Sequence, residues 1–122
     1  MQAIKFSNGV EIINCTPHAI RFLDGEKIVS AEPSGYKINA RAEEAIYAET
    51  PCRLVKTMFR QTDEGLTEIM LLRAKYPDAL LVGSIISAQA YPGLVVGMTP
   101  AAGYERVPPA EKLMATDKFS MF

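Results

Sequence analysis

The chain of 122 residues holds one histidine and two cysteines, so its capacity for nucleophilic and metal chemistry is narrow. His18 closes the segment Asn14-Cys15-Thr16-Pro17-His18, and an imidazole with an ordinary pKa of about 6.5 can move a proton near neutral pH. No serine or cysteine is spaced beside it as a nucleophile, and Asp24 and Glu26 lie beyond the strand that follows. A structural use is the favoured reading: Pro17 fixes φ at the start of a strand, and the imidazole would bond a neighbouring turn. Cys15 and Cys52 are far apart with only His18 nearby, so a four-ligand zinc site would need carboxylates from elsewhere. The expectation is two reduced cysteines, no metal, no cofactor and no catalytic residue.

Anion binding has more candidates. Leu81-Val82-Gly83-Ser84-Ile85-Ile86 reads as an apolar strand that ends at a glycine, followed by a short helix of small residues. Such a junction can aim backbone N–H groups at a phosphate or carboxylate. Ser84 and Ser87 would add hydroxyl donors, and Gln89 could read a base edge or ribose; close packing is the plain alternative. In the tail, Arg106, Lys112 and Lys118 could neutralise phosphates, while Tyr104 and Phe119 could stack on a base. The same segment could instead lie on a neighbouring subunit and bury Tyr104, Leu113, Met114 and Phe119, and the two uses are compatible. A third set, Lys37, Asn39 and Arg41, alternates with Tyr36, Ile38 and Ala40 and so shares one side of an expected strand. That side is either solvated or, on a symmetry axis, a second site for a polyanionic ligand.

Thirteen basic residues oppose fourteen acidic ones, for a net charge of −1. That balance excludes a nucleic-acid coat or a polybasic membrane binder, which need a clear cationic excess. A hydrophobic fraction of 48% with 22% charged residues suits one globular domain. No apolar run approaches the ~18 residues that span a bilayer, and the N-terminus lacks a charged-then-apolar leader pattern. A cytoplasmic protein is expected.

The elements that must position these residues follow from local signals. Asn8-Gly9 and Asp24-Gly25 each separate two apolar runs, the signature of a tight hairpin. Pro33-Ser34-Gly35 marks a third turn, with strands expected over 36–41, 45–49 and 52–59. Thr62-Asp63-Glu64 opens a helix whose Leu66, Ile69, Met70 and Arg73 recur at helical spacing, and Tyr76-Pro77-Asp78 ends it. A strand over 79–82, a short helix over 83–91 and a strand over 94–96 complete the pattern. From Met98 onward no clean period survives. The expected fold is α+β: a β-rich N-terminal half of short antiparallel strands, two helices and an extended C-terminal arm. It forms a single domain, with a core over 1–103 and the arm over 104–122.

Asn14-Cys15-Thr16-Pro17-His18-Ala19-Ile20 resembles the Asn-x-Thr-Pro-His-x-[Ile/Val] opening of small phage and prophage proteins. In those proteins a turn like Pro33-Ser34-Gly35 and a small-residue helix like 84–90 follow. Through these short motifs the chain is similar to the phage anti-Thoeris sponge family, the Thoeris anti-defence proteins of the first type. The resemblance implies a non-enzymatic homo-oligomer that sequesters a small cyclic nucleotide immune signal, a cyclic ADP-ribose isomer made by a TIR-domain enzyme. It also allows cyclic oligonucleotides at a separate site, and it does not assign individual binding residues. Two other readings stay open: a small nucleotide-processing enzyme using His18, and a phage structural or adaptor protein in which the tail is an assembly strap.

Overall fold

The computed structural model of the chain describes residues 3–122. Strands β1 (Ala3–Lys5) and β2 (Glu11–Asn14) pair antiparallel about Asn8-Gly9, where Gly9 takes a φ of 89°. β3 (Ile20–Asp24) and β4 (Lys27–Ala31) form a second hairpin about Gly25, with a φ of 64°. Both turns need a backbone conformation that side chains disfavour. β5 (Ala40–Ala48) and β6 (Leu54–Gln61) make a separate two-stranded ribbon. Helix α1 (Asp63–Lys75), β7 (Leu80–Val82), helix α2 (Ile85–Ala90), β8 (Gly97–Pro100) and β9 (Met114–Ser120) follow.

β1, β2 and β7 form one sheet, with β7 parallel to β2; β4, β3, β9 and β8 form another in that order. The small sheet is a wall between two apolar cores. Ile13 and Leu81 point to one side, with Ile69 and Leu72 of α1, Tyr91 and Val95. Ile12 and Val82 point to the other, with Phe6, Ile20, Phe22 and Val96. Period-two alternation on buried strands makes this division. α1 is started by Thr62, whose Oγ1 accepts the Gly65 N–H at 3.0 Å, and carries Asp63 and Glu64 at its positive end. Its buried stripe is Gly65, Ile69 and Leu72. Met70, expected in the stripe, faces outward at 72% exposure.

The α+β class and both helices stand as expected, and three strand readings change. The strand expected over 94–96 is a turn from which only Val96 bridges to Val82, and β8 begins at Gly97. Residues 36–39 do not form a strand: the Asn39 carbonyl accepts the Tyr91 hydroxyl at 2.7 Å instead of joining a ladder, and β5 starts at Ala40. The tail is not an arm throughout. β9 lies inside the larger sheet, parallel to β3 (Phe22 opposite Met114) and antiparallel to β8 (Met98 opposite Phe119). Burial of Leu113, Ala115 and Thr116 and the packing of Phe119 against Phe22, with ring centroids 6.4 Å apart, hold it there.

Candidate functional site

The Asn14 side chain is almost fully buried and uses all of its hydrogen-bonding capacity. Its Nδ2 donates to the carbonyls of His18 (2.8 Å) and Ala31 (2.9 Å). Its Oδ1 accepts the Thr16 N–H (2.9 Å) and the Thr16 hydroxyl (2.6 Å). One amide therefore folds Thr16-Pro17-His18 into a fixed loop and ties it to the end of β4. The Asn14 carbonyl in turn accepts both the N–H (3.0 Å) and the hydroxyl (2.7 Å) of Ser34. The distinctive segment and the Pro33-Ser34-Gly35 turn are thus one unit.

This loop forms one wall of a groove of about 700 Å³. Pro17, Ala19, Ile20, Met98, Pro109 and Met114 supply its apolar lining. Thr16, His18, Arg21, Ser84 and Lys112 supply its polar groups, and among the described residues no carboxylate lines it. Arg21 and Lys112 come to the same groove through the parallel pairing of β3 with β9, since Phe22 lies opposite Met114. An Arg21 Nη also donates to the Ala110 carbonyl, which fixes the 109–111 turn as the opposite wall. The size and the apolar lining with a few convergent polar groups suit a small-molecule site. The two cations, Arg21 held by its bond to Ala110 and Lys112 beside the turn, suit an anionic group on that molecule.

A pocket of about 120 Å³ adjoins the groove and shares Thr16, Pro17 and Ser84 with it; Cys15, Lys37, Ile38, Asn39 and Ser87 complete it. Residues of the 14–18 loop and of the start of α2 thus share this pocket, and Ser34 is tied to the loop through the Asn14 carbonyl. Cys15 is buried there, and desolvation pushes its thiol up to about 12 despite a hydrogen bond to Ser34. A thiol that keeps its proton is a poor nucleophile.

Of the expected ligand residues, Ser84 and Lys112 do line the groove. Ser87 lines only the adjoining pocket, and its hydroxyl is committed to the Ile38 carbonyl at 2.8 Å. The Ser84 Oγ caps α2 by accepting the Ser87 N–H at 3.1 Å. α2 has only six residues, and at its start a Cβ on Gly83 would lie 2.8 Å from Val95 Cγ1, so the strand–helix junction is closely packed. Gln89 is exposed on α2 and lines neither cavity; Tyr104 is half-buried in a turn where its N–H meets the Ala101 carbonyl. Arg106 and Lys118 are exposed away from the groove. Phe119 is half-buried against the second core, beside Phe22, and does not line the groove. The expected set Lys37, Asn39 and Arg41 is split. Lys37 and Asn39 reach the adjoining pocket, whereas Arg41 pairs with Glu43 at 2.8 Å at the foot of the ribbon, beside Arg60.

Sequence reasoning missed Arg21. Its signal was the alternation of an exposed cation between the apolar Ile20 and Phe22 on a strand that starts beside His18. Among the described residues, no group of histidine, cysteine or acidic side chains could hold a metal ion, and no helix is long and apolar enough to cross a membrane. The chain matches no family model, no curated protein and no solved structure.

Proposed function

We propose that this chain is a non-enzymatic phage anti-defence protein that works as a homo-oligomer in the host cytoplasm. On this reading it takes a small cyclic nucleotide signal, of the cyclic ADP-ribose kind, into the groove and withholds it. The observation that carries the reading is a cavity of about 700 Å³ with an apolar lining, Arg21 and Lys112 on its walls and, among the described residues, no carboxylate. A nucleotide is half flat apolar ring and half polyanion. Pro17, Met98 and Met114 offer the ring dispersion contacts, while Arg21 and Lys112 offer its phosphates charge-assisted donors. The resemblance of the Asn14–Ile20 segment to phage proteins supports the biological setting. Sequestration asks for tight contact and for no nucleophile, and the buried, protonated Cys15 beside the groove supplies none.

Isothermal titration of the intact protein with cyclic ADP-ribose isomers and with cyclic di- and trinucleotides tests this. The expected Kd for at least one isomer is below about 10 μM, roughly −7 kcal/mol. Lys112→Glu, which puts a negative charge on the wall, should weaken it by ~10-fold or more. Heat denaturation should release the ligand unchanged. Absence of binding below that Kd defeats the reading. A ligand recovered altered by wild type but intact from His18→Ala would replace it with the enzyme, since His18 stands on the groove wall.

A further inference from the structure

We propose that the small pocket beside the groove is a second phosphoryl subsite, so that the ligand carries two phosphoryl groups, one on each side of the Thr16-Pro17 wall. The inference rests on the nucleotide reading for its ligand and extends it from one anion-binding wall to two.

The segment that brings Lys37 and Asn39 to the pocket is fixed before any ligand arrives. The Ile38 side chain is buried, and its carbonyl accepts the Ser87 hydroxyl at 2.8 Å. The Asn39 carbonyl accepts the Tyr91 hydroxyl at 2.7 Å and the Thr62 hydroxyl at 3.3 Å. Lys37 and Asn39, on either side of Ile38, are exposed and both line the pocket. Their backbone has no further ordering to do when a ligand binds, which favours affinity.

Three hydroxyls line the same pocket, and two have spent their protons. Ser87 gives its proton to the Ile38 carbonyl, and Thr16 gives its own to Asn14 Oδ1 at 2.6 Å. Ser84 is different. Its Oγ accepts the Ser87 N–H, and its proton meets only the Ser87 Oγ at 3.2 Å, long for a bond between hydroxyls. Ser84 lines both cavities, so that proton is offered where pocket and groove adjoin.

Charge and volume select the occupant. Both ion pairs among the described residues belong to Glu43, on the ribbon. Lys37 therefore has no carboxylate partner there, and neither has Lys112 across the wall. Glu68, which adds to the desolvation that raises the Cys15 pKa, lines neither cavity. An ammonium, an amide and a hydroxyl proton with no carboxylate suit a group that only accepts, such as a phosphoryl oxygen. A ribose diol would call for a carboxylate acceptor instead. At about 120 Å³ the pocket is too small for a whole ligand, which takes ~300 Å³ or more. The ring of a nucleotide belongs in the larger, apolar groove, and a phosphoryl group is what remains for the pocket.

Inorganic phosphate tests the subsite without any nucleotide. In amide NMR spectra of the full chain, phosphate at millimolar concentration, enough for a Kd of about 1 mM, should shift Lys37, Asn39 and Ser87 saturably. Ile20, Arg21 and Met114 should report the groove in the same titration. Lys37→Met should abolish the first response and keep the second. No saturable response at Lys37, Asn39 and Ser87 of the wild type overturns the proposal, as does one that survives Lys37→Met. Calorimetry then counts phosphoryl groups, since cyclic ADP-ribose and cyclic di-AMP carry two and cyclic AMP one. Lys37→Met should weaken the tighter of the first two by ~10-fold. An unchanged affinity for that ligand refutes the proposal, and so does an equal loss for cyclic AMP. Should none of the nucleotides bind while phosphate still answers in both cavities, the nucleotide reading fails and the two subsites stand.

Discussion

Replacing Asn14 by alanine removes the amide that shapes the groove wall, and its cost can be worked from the four bonds it makes. Thr16 loses the acceptor for its buried N–H, and the Ala31 carbonyl loses a donor at 2.9 Å. The His18 carbonyl is partly compensated, because the Thr16 hydroxyl, 3.0 Å away, can turn its one proton to it once Asn14 Oδ1 is gone. An orphaned buried polar group costs about 1–3 kcal/mol, so Asn14→Ala should cost roughly 3–4 kcal/mol against a total stability of ~5–15 kcal/mol. Asn14→Asp should be worse. It keeps the oxygens that serve Thr16, but it loses both donors and turns a carboxylate toward two carbonyls at a site only 1% exposed. Thr16→Val removes only the hydroxyl and should cost about 1 kcal/mol. The chain has no tryptophan, so urea unfolding followed by far-UV circular dichroism is the suitable assay. A loss below about 1 kcal/mol for Asn14→Ala, or an Asn14→Asp variant as stable as Asn14→Ala, would refute the clamp.

Gly65→Ala should destabilise strongly, since its Cβ would lie 2.0 Å from the Tyr91 hydroxyl oxygen and 2.8 Å from Cζ. In a Tyr91→Phe background the cost should shrink without vanishing, a coupling that a double-mutant cycle measures. Native protein treated with a thiol reagent should show one fast thiol, the exposed Cys52, and release Cys15 only on unfolding. Because burial raises Cys15 from 9.0 to about 12, its contribution is whole below pH 9.0. It is lost as pH climbs through that window, where the unfolded chain sheds the proton first. A flat alkaline stability profile for wild type relative to Cys15→Ala would contradict this. Asp24 is held below its ordinary 3.8 by the Ser7 hydroxyl and then the Ser7 N–H. That stabilisation is present above 3.8 and disappears as pH falls through the depressed value. Ser7→Ala should therefore lower the melting temperature near neutral pH, and the gap should close in strong acid.

The features legible in the sequence were those whose cause is local. Asn8-Gly9 and Asp24-Gly25 turn the chain because glycine adopts a positive φ there. Thr62 starts α1 because its hydroxyl reaches the Gly65 N–H three residues on. Lys112 and Ser84 were legible as ligand candidates by residue type. The Asn14–His18 segment stood out as a pattern, but its use did not, because one acceptor of the Asn14 amide, the Ala31 carbonyl, is brought to it by another hairpin. The foot of the ribbon was equally hidden, since Tyr91 closes it across contacts of 29 and 52 residues.

Residue types and short-range geometry by themselves determined the α+β class, two hairpins, two helices and a charge balance unsuited to long polyanions. Tertiary structure alone decided that the tail ends as an internal strand, and through it which cations share a cavity. The alternation in 114–120 is broken because its burial is set by β3 and β8, strands that reach it only through long-range pairing. The same parallel pairing of β3 with β9 stands Arg21 beside Lys112 and leaves Arg106 and Lys118 outside the groove. No local propensity encodes that choice, because it is made by which strands bury one another's apolar faces.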